Sequence, residues 1–217
     1  MPALSDVVIR DLRPDDHAAA VDVLVDSFQG FPALEVLVGR GDGARGRLAR
    51  LFAMEFEPEA ESSAVVAELD GRVVGVLTYT DSPACSALSA GRMVRFVRIA
   101  GTRIFGAMRM FGRIEKVHPK TAHRHLPSVG VQPNMQAAGI GRRLMEEFDR
   151  RCDEAGQVGY LETIRWDDPS KPSLERFYTG LGFEVTDAVP MTDAWHVLTM
   201  TRQPQANRSD TDRAIHE

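Results

Sequence analysis

Cysteine is nearly absent from this 217-residue chain, and its two copies, Cys85 and Cys152, stand far apart. Two isolated cysteines make no disulfide framework; they read as reduced thiols of a cytoplasmic protein, with Cys152 at an apolar helix position suited to core packing. No apolar run approaches the roughly 18 residues that span a bilayer. The opening MPALSDVVIRDL also lacks the apolar centre of a signal peptide. Positive charge is in deficit: 26 Lys and Arg stand against 31 Asp and Glu, a net charge of −5 that argues against a nucleic-acid partner. No resident metal is expected. What remains is globular in composition, 43% hydrophobic and 26% charged, and long enough to bury a full core. One domain is expected over residues 1–202, with the polar, aperiodic 203–217 as a tail.

Two common phosphate loops are also missing. No Gly-Lys precedes Ser or Thr, and the third glycine of a dinucleotide fingerprint is replaced by Leu144. Yet Leu126–Arg143, reading LPSVGVQPNMQAAGIGRR, has the layout of an anion cradle. A short β-branched run leads into a turn with Pro133 and Asn134, then Gln136-Ala-Ala-Gly139-Ile-Gly141 opens an amphipathic helix. The first N–H groups of a helix have no internal partner, and the dipole makes that end positive. With Ala137, Ala138, Gly139 and Gly141 there, no large side chain keeps a phosphate from the backbone.

Gln136-x-x-Gly139-x-Gly141 resembles the acetyl-coenzyme A signature of the GNAT superfamily of N-acetyltransferases. A second stretch, Leu174-Glu-Arg-Phe177-Tyr178-Thr-Gly-Leu-Gly182-Phe183, resembles that family's later helix ending in Phe-Tyr-x-x-x-Gly-Phe. Val129-Gly130-Val131 before Pro133 matches the strand that meets the pantetheine arm. The resemblance implies a mixed α/β fold: a central, mostly antiparallel twisted sheet with flanking helices. It implies acetyl-CoA as cofactor, held by Val129, Val131 and the backbone of Gln136, Ala137, Ala138, Gly139, Ile140, Gly141 and Arg142. Where many members have Asn early in the second helix, this chain has Ser170-Lys-Pro-Ser173. A hydroxyl of Ser170 or Ser173 then contacts the coenzyme instead, or merely caps the helix. A homodimer is common in the family.

The element pattern agrees with that order. Val7–Leu12 reads as a strand, followed by a helix from Pro14 with Val21, Leu24, Val25 and Phe28 on one face. A second helical stretch is expected over Arg45–Phe56, then strands 64–69 and 72–80 joined by Asp70-Gly71. The cradle helix places Ile140, Leu144, Phe148 and Cys152 on one face and ends near Gly156. Its other faces carry Arg142/Glu146, Arg143/Glu147 and Glu147/Arg151 at i, i+4. Val158–Trp166, a helix over 169–180, and strands 183–190 and 195–201 complete it.

Between the hairpin and the cradle lies an insert, Ser89–Lys120, with eight basic residues against the single acid Glu115. Its charge of +7 leaves −12 for the rest of the chain. Its many apolar residues are spread too broadly for a one-sided membrane-surface helix, so a lid is expected, its arginines facing water or coenzyme phosphates. Glu115-Lys-Val-His-Pro119 leading into His123-Arg-His-Leu126 resembles a GNAT branch that includes puromycin-type small-molecule acetyltransferases, in which such an insert helps wall the acceptor site.

Moving acetyl from a thioester to an amine needs a neutral amine, a stabilised oxyanion and a proton for the leaving thiolate. The resemblance implies direct attack in a ternary complex. Pro127 cannot donate a ladder hydrogen bond, so strands 126–131 and 158–166 are expected to part near it. The Val131 N–H then becomes the candidate oxyanion donor. The family motif makes Tyr178 the general acid, its phenol near a pKa of about 10 matched to a thiolate. Alternation puts Tyr160, Glu162, Ile164 and Trp166 on one face. Glu162, flanked by apolar neighbours, is expected to have a raised pKa and to act as base, or else to pair with an arginine. His125, expected to share a face with Pro127 and Val129, is the second candidate base, and His123 a third. Tyr160 and Trp166 stack on the acceptor or fill the core. The reading is an acetyl-CoA-dependent N-acetyltransferase acting on a small-molecule amine. A protein or peptide acceptor, and a non-catalytic acyl-CoA sensor, are the alternatives; the presence of Tyr178 speaks against the sensor.

Overall fold

The computed structural model describes residues 6–57, 60–82 and 90–205. Cys85 and nearly all of the expected tail lie outside them. Seven strands form one sheet: β1 (Val8–Asp11), β2 (Ser63–Leu69), β3 (Arg72–Ser82), β4 (His123–Val131), β5 (Val158–Trp166), β6 (Glu184–Pro190) and β7 (Trp195–Arg202). Their order is β1-β2-β3-β4-β5-β7-β6, and only β4 and β5 run parallel. On one side, α6 (Ile140–Ala155) and α7 (Glu175–Thr179) cover a core containing Leu144, Phe148, Cys152, Leu161 and Phe183. On the other, α1 (His17–Ser27), α2 (Pro32–Val38), α3 (Ala44–Ala53), α4 (Ala90–Ala100) and α5 (Ile104–Ile114) close a second core around Leu24, Phe52, Val76 and Ile164. Among the described residues no helix is long and apolar enough to cross a membrane.

The β2–β3 hairpin turns on Asp70 and Gly71, both at positive φ (49° and 73°), as a two-residue loop requires. Helix α2 escapes sequence reading because seven residues between Gly30 and Gly39 are too few to display a period. The helix expected over 169–180 shrinks to α7. Asp168 Oδ1 accepts hydrogen bonds from the Ser170 N–H (3.0 Å) and hydroxyl (2.7 Å), and Pro172 follows, so this segment is held as a turn. On α6 the Glu147–Arg151 pair forms at 2.7 Å. Arg143 instead donates to the Val7 carbonyl (2.6 Å), and Arg142 has no ion pair among the described residues.

Two features of β4 position everything that follows. First, its parallel pairing with β5 runs from His123↔Val158 to Leu126↔Leu161 and then stops, so the strands part at Pro127. Second, its pairing with β3 jumps from Thr80↔His125 to Thr78↔Ser128, three residues on β4 against two on β3. That β-bulge at Leu126–Pro127 breaks strict alternation. Leu126 and Val129 both pack in the α6 core, while His125 and Ser128 both face the α1–α5 side. His125 therefore does not share a face with Val129, as uninterrupted alternation predicts; the extra residue moves it to the opposite side.

Candidate active site

A cleft of about 700 Å³ opens where β4 and β5 separate. Val129 and Val131 line one wall, Thr163, Ile164 and Trp166 the other, and the α6 loop and Tyr178 close the ends. The backbone polarity of the first wall follows from register. Gln132 N–H donates to the Val74 carbonyl at 2.9 Å, so 132/74 is a hydrogen-bonded pair and, by alternation, 131/75 and 129/77 are not. The Val129 and Val131 amides consequently point away from β3, into the gap that β5 has left.

Below this wall, a 3₁₀ turn at Pro133–Met135 leads to Ala137 at φ 60° and Gly139 at φ 84°. These two left-handed residues bend the loop sharply just ahead of the α6 N-terminus. A left-handed alanine costs about 1–2 kcal/mol, which the rest of the loop must offset. The α6 ladder starts with Arg143 N–H on the Gly139 carbonyl (3.2 Å); the amides of Ile140, Gly141 and Arg142 precede it and have no helical acceptor. Ile140 is buried and Ala138 packs beside it, so both offer only their amides. Gln136 Nε2 donates to the Val131 carbonyl at 3.3 Å, tying loop to strand. Gly141 is informative for what it does not touch: an added Cβ would meet Val131 and Phe177 only at 3.8 and 4.0 Å, ordinary contact. Protein packing does not demand a glycine there. At Gly130 the reverse holds, since a Cβ would lie 2.7 Å from Ser27 Oγ and 2.8 Å from Ser27 Cβ.

Tyr178 is buried and lines the cleft, and its hydroxyl makes no hydrogen bond among the described residues. Burial pushes its phenol above the ordinary value, so it stays protonated and able to donate. Ser173 Oγ accepts from the Glu175 N–H at 3.2 Å, which is a cap at the start of α7, and it does not line the cleft although Pro172 and Leu174 do.

On the α1–α5 side of the parting strands lies a cluster of titratable groups. His125 Nε2 lies 2.8 Å from Glu162 Oε2, and His118 Nδ1 lies 3.8 Å from Oε1 of the same carboxylate. His123 Nε2 sits 3.2 Å from His118 Nε2, and its Nδ1 is 2.8 Å from the Thr121 carbonyl. A carbonyl only accepts, so Nδ1 carries the proton and a neutral His123 presents a lone pair to His118. Glu55 approaches from the turn after α3, accepting from Thr78 Oγ1 (2.8 Å) and Ser128 Oγ (3.0 Å).

Charge decides the roles these groups can take. Burial alone would raise Glu162, but His125, hydrogen-bonded to it at 2.8 Å, and the nearby His118 hold it well below the usual carboxylate range. The expectation of a raised pKa at Glu162 is thereby overturned: its neighbours are imidazoles, not apolar side chains, and it pairs with histidine instead of arginine. Burial opposes protonation of His125, but the Glu162 and Glu55 carboxylates raise it. Burial lowers His123. Glu55 is the carboxyl that burial pushes upward, against the Thr78 and Ser128 hydrogen bonds. Tyr160 is enclosed with its ring about 5 Å from three imidazoles (4.8 Å from His118, 5.2 Å from His123, 5.3 Å from His125), and cannot stack on an acceptor. Trp166 does line the cleft, with Lys171 Nζ 4.0 Å above its ring. Sequence reading missed Glu55 and His118; the available signal for Glu55 was a lone acid between Met54 and Phe56.

Among the described residues, none of the insert lines the cleft. Arg92 donates to the Met54 carbonyl, Arg95 pairs with Glu57, and Arg113 donates to the Pro190 carbonyl. The expectation that arginines of the insert face coenzyme phosphates fails because these side chains fasten the insert to α3 and β6. Only its end, at His118, reaches the titratable cluster.

Known proteins share this architecture. A structure from Corynebacterium glutamicum, described as histone acetyltransferase HPA2 and related acetyltransferase, superposes with a TM-score of 0.71 at 22% identity, covering 94% of this chain and 99% of that one. The polyamine N-acetyltransferase of Drosophila melanogaster gives 0.64 at 15% identity (91% and 100%). An aminoglycoside 6'-N-acetyltransferase complexed with coenzyme A gives 0.56 at 15% identity (92% and 99%). The model of the Acetyltransferase (GNAT) family matches residues 40–183, two thirds of the sequence and both signature segments. This chain belongs to the GNAT family of acetyltransferases, enzymes that draw their acetyl group from acetyl-CoA.

Proposed function

We propose that the protein transfers acetyl from acetyl-CoA to the amine of a small molecule by direct attack in a ternary complex. The observation that carries this reading is the parting of β4 from β5, which exposes the Val129 and Val131 amides above the α6 loop and beside Tyr178. In this scheme the amides of residues 137–142 hold the pyrophosphate, with Arg142 at the mouth. Val129 meets the pantetheine arm, and the Val131 N–H stabilises the tetrahedral oxyanion. Tyr178 returns a proton to the departing thiolate.

The amine proton goes to His125. Glu162, held ionised by its histidine partners, is a poor proton acceptor; it raises and orients the imidazole instead. Glu55, in its ionised form, also favours the charged His125 and adds negative potential that favours a cationic amine before it loses its proton. Two similar structures are those of an aminoglycoside N-acetyltransferase and a polyamine N-acetyltransferase, enzymes named for small amine acceptors. The run from Glu115 to Leu126 supports kinship with the puromycin-type branch. Free, buried Cys152 suits a reducing cytoplasm.

The test is thiol release from acetyl-CoA against a panel of polyamines, aminoglycosides, aromatic amines and peptides, alongside calorimetry with acetyl-CoA and coenzyme A. Release with a small amine supports the reading. Release only with peptides moves the acceptor to the polypeptide class, and tight coenzyme binding without release makes the protein a sensor.

A further inference from the structure

Helices α4 and α5 divide their apolar side chains between two faces. Ile99, Ala100, Ala107 and Met110 are buried against the body, where α4 contacts α2 and α3 and α5 contacts α2. Six others, Met93, Val94, Val97, Phe105, Met108 and Phe111, are exposed, Phe105 at 78% and Met108 at 65%. Cations stand among them at helical spacing: Arg98 is one turn beyond Val94, and Arg109 one turn beyond Phe105. Neither has an ion pair among the described residues, nor do Lys116 and Lys120 just past α5.

We propose that this outer face docks the enzyme on an anionic lipid surface. Phe105 and Met108 enter the boundary between headgroups and acyl chains while Arg98 and Arg109 meet the lipid anions. Protruding apolar side chains with free cations a turn away are the composition of helices that lie in a headgroup layer. The charge partition gives the orientation. The insert carries +7 and the rest of the chain −12, so this is the side that an anionic surface attracts. A second copy is disfavoured, because a symmetric contact through this face sets the Arg98 and Arg109 of each copy against those of the other. No described residue of the insert lines the cleft, so docking leaves the cleft open. This inference does not depend on the acceptor proposed above.

The experiment is vesicle flotation of the full chain, with neutral phosphatidylcholine vesicles against vesicles containing phosphatidylserine, at low and high salt. Two double variants accompany it, Phe105→Ser with Met108→Ser and Arg98→Glu with Arg109→Glu, with coenzyme A affinity in solution reporting that each is folded. The unaltered protein should bind only the anionic vesicles, and binding should fall at least about tenfold at high salt. Each double variant should lose about tenfold or more of that binding and keep its coenzyme affinity. Absence of binding to anionic vesicles at low salt overturns the proposal, as does unchanged binding by both variants. A dimer in the absence of lipid that the Phe105→Ser, Met108→Ser variant abolishes would assign the face to a second copy and also overturn it.

Discussion

His125 Nε2 and Glu162 Oε2 meet at 2.8 Å across the single parallel pairing of the sheet, on either side of its last registered pair, Leu126 and Leu161. The carboxylate favours the charged imidazole, so His125 must lose its proton at a pH above the usual histidine value before it can act as base. The plot of kcat/KM against pH should therefore rise through a value above about 6.5. Glu162→Gln should move that limb to lower pH, and His125→Ala should lower kcat by about 10²–10⁴-fold. A limb unmoved by Glu162→Gln would remove the pair from the mechanism.

Tyr178→Phe should keep coenzyme affinity and lower kcat by about tenfold or more, within the range of a lost general acid. Calorimetry with coenzyme A beside single-turnover rates separates the two. Full turnover in the variant would require another proton donor.

Gly141→Ala isolates the cradle from the fold. Alanine is favoured over glycine in a helix by about 0.5–1 kcal/mol, and its methyl group meets only ordinary contacts in the protein. Thermal stability should hold or rise while coenzyme affinity drops by tenfold or more, the drop following from a methyl group placed against a phosphate. At Gly130 the same change should cost about 1–3 kcal/mol, because α1 and β4 must separate around Ser27. Denaturant melts distinguish the two glycines directly, and Ser27→Gly should restore much of the loss in Gly130→Ala.

Asp149 offers a pH test of stability away from the cleft. Burial pushes its carboxyl up to about 7, opposed by Arg202 at 3.7 Å and aided by Asp153 and Glu146. Between the unfolded value near 3.8 and about 7 the folded state binds the extra proton, so this group lowers stability as pH rises through that window. Asp149→Asn should leave acid stability unchanged and raise the melting temperature at pH 8.

Much of this was legible in the sequence. The loop 136–142, the strand parting at Pro127 and the Asp70–Gly71 hairpin all depend on backbone chemistry that glycine, proline and alternation announce locally. What stayed hidden depends on contacts between distant segments. Glu55 and Glu162 are 107 positions apart, and no local pattern says that both act on His125 or that His118 stands beside Glu162. The sign of the Glu162 shift was misjudged for that reason: strand neighbours were visible, and the imidazoles were not. The bulge also escaped, since a one-residue excess appears only when two strands are laid side by side.

That single surplus residue has a wider meaning. It works as a phase shifter within one strand, so that the half before it carries the imidazole of His125 and the half after it presents the amides proposed to meet the coenzyme. Deleting one residue there would turn the imidazole of His125 toward Phe148 and Leu161, leaving the cradle able to hold its cofactor with no base to use it.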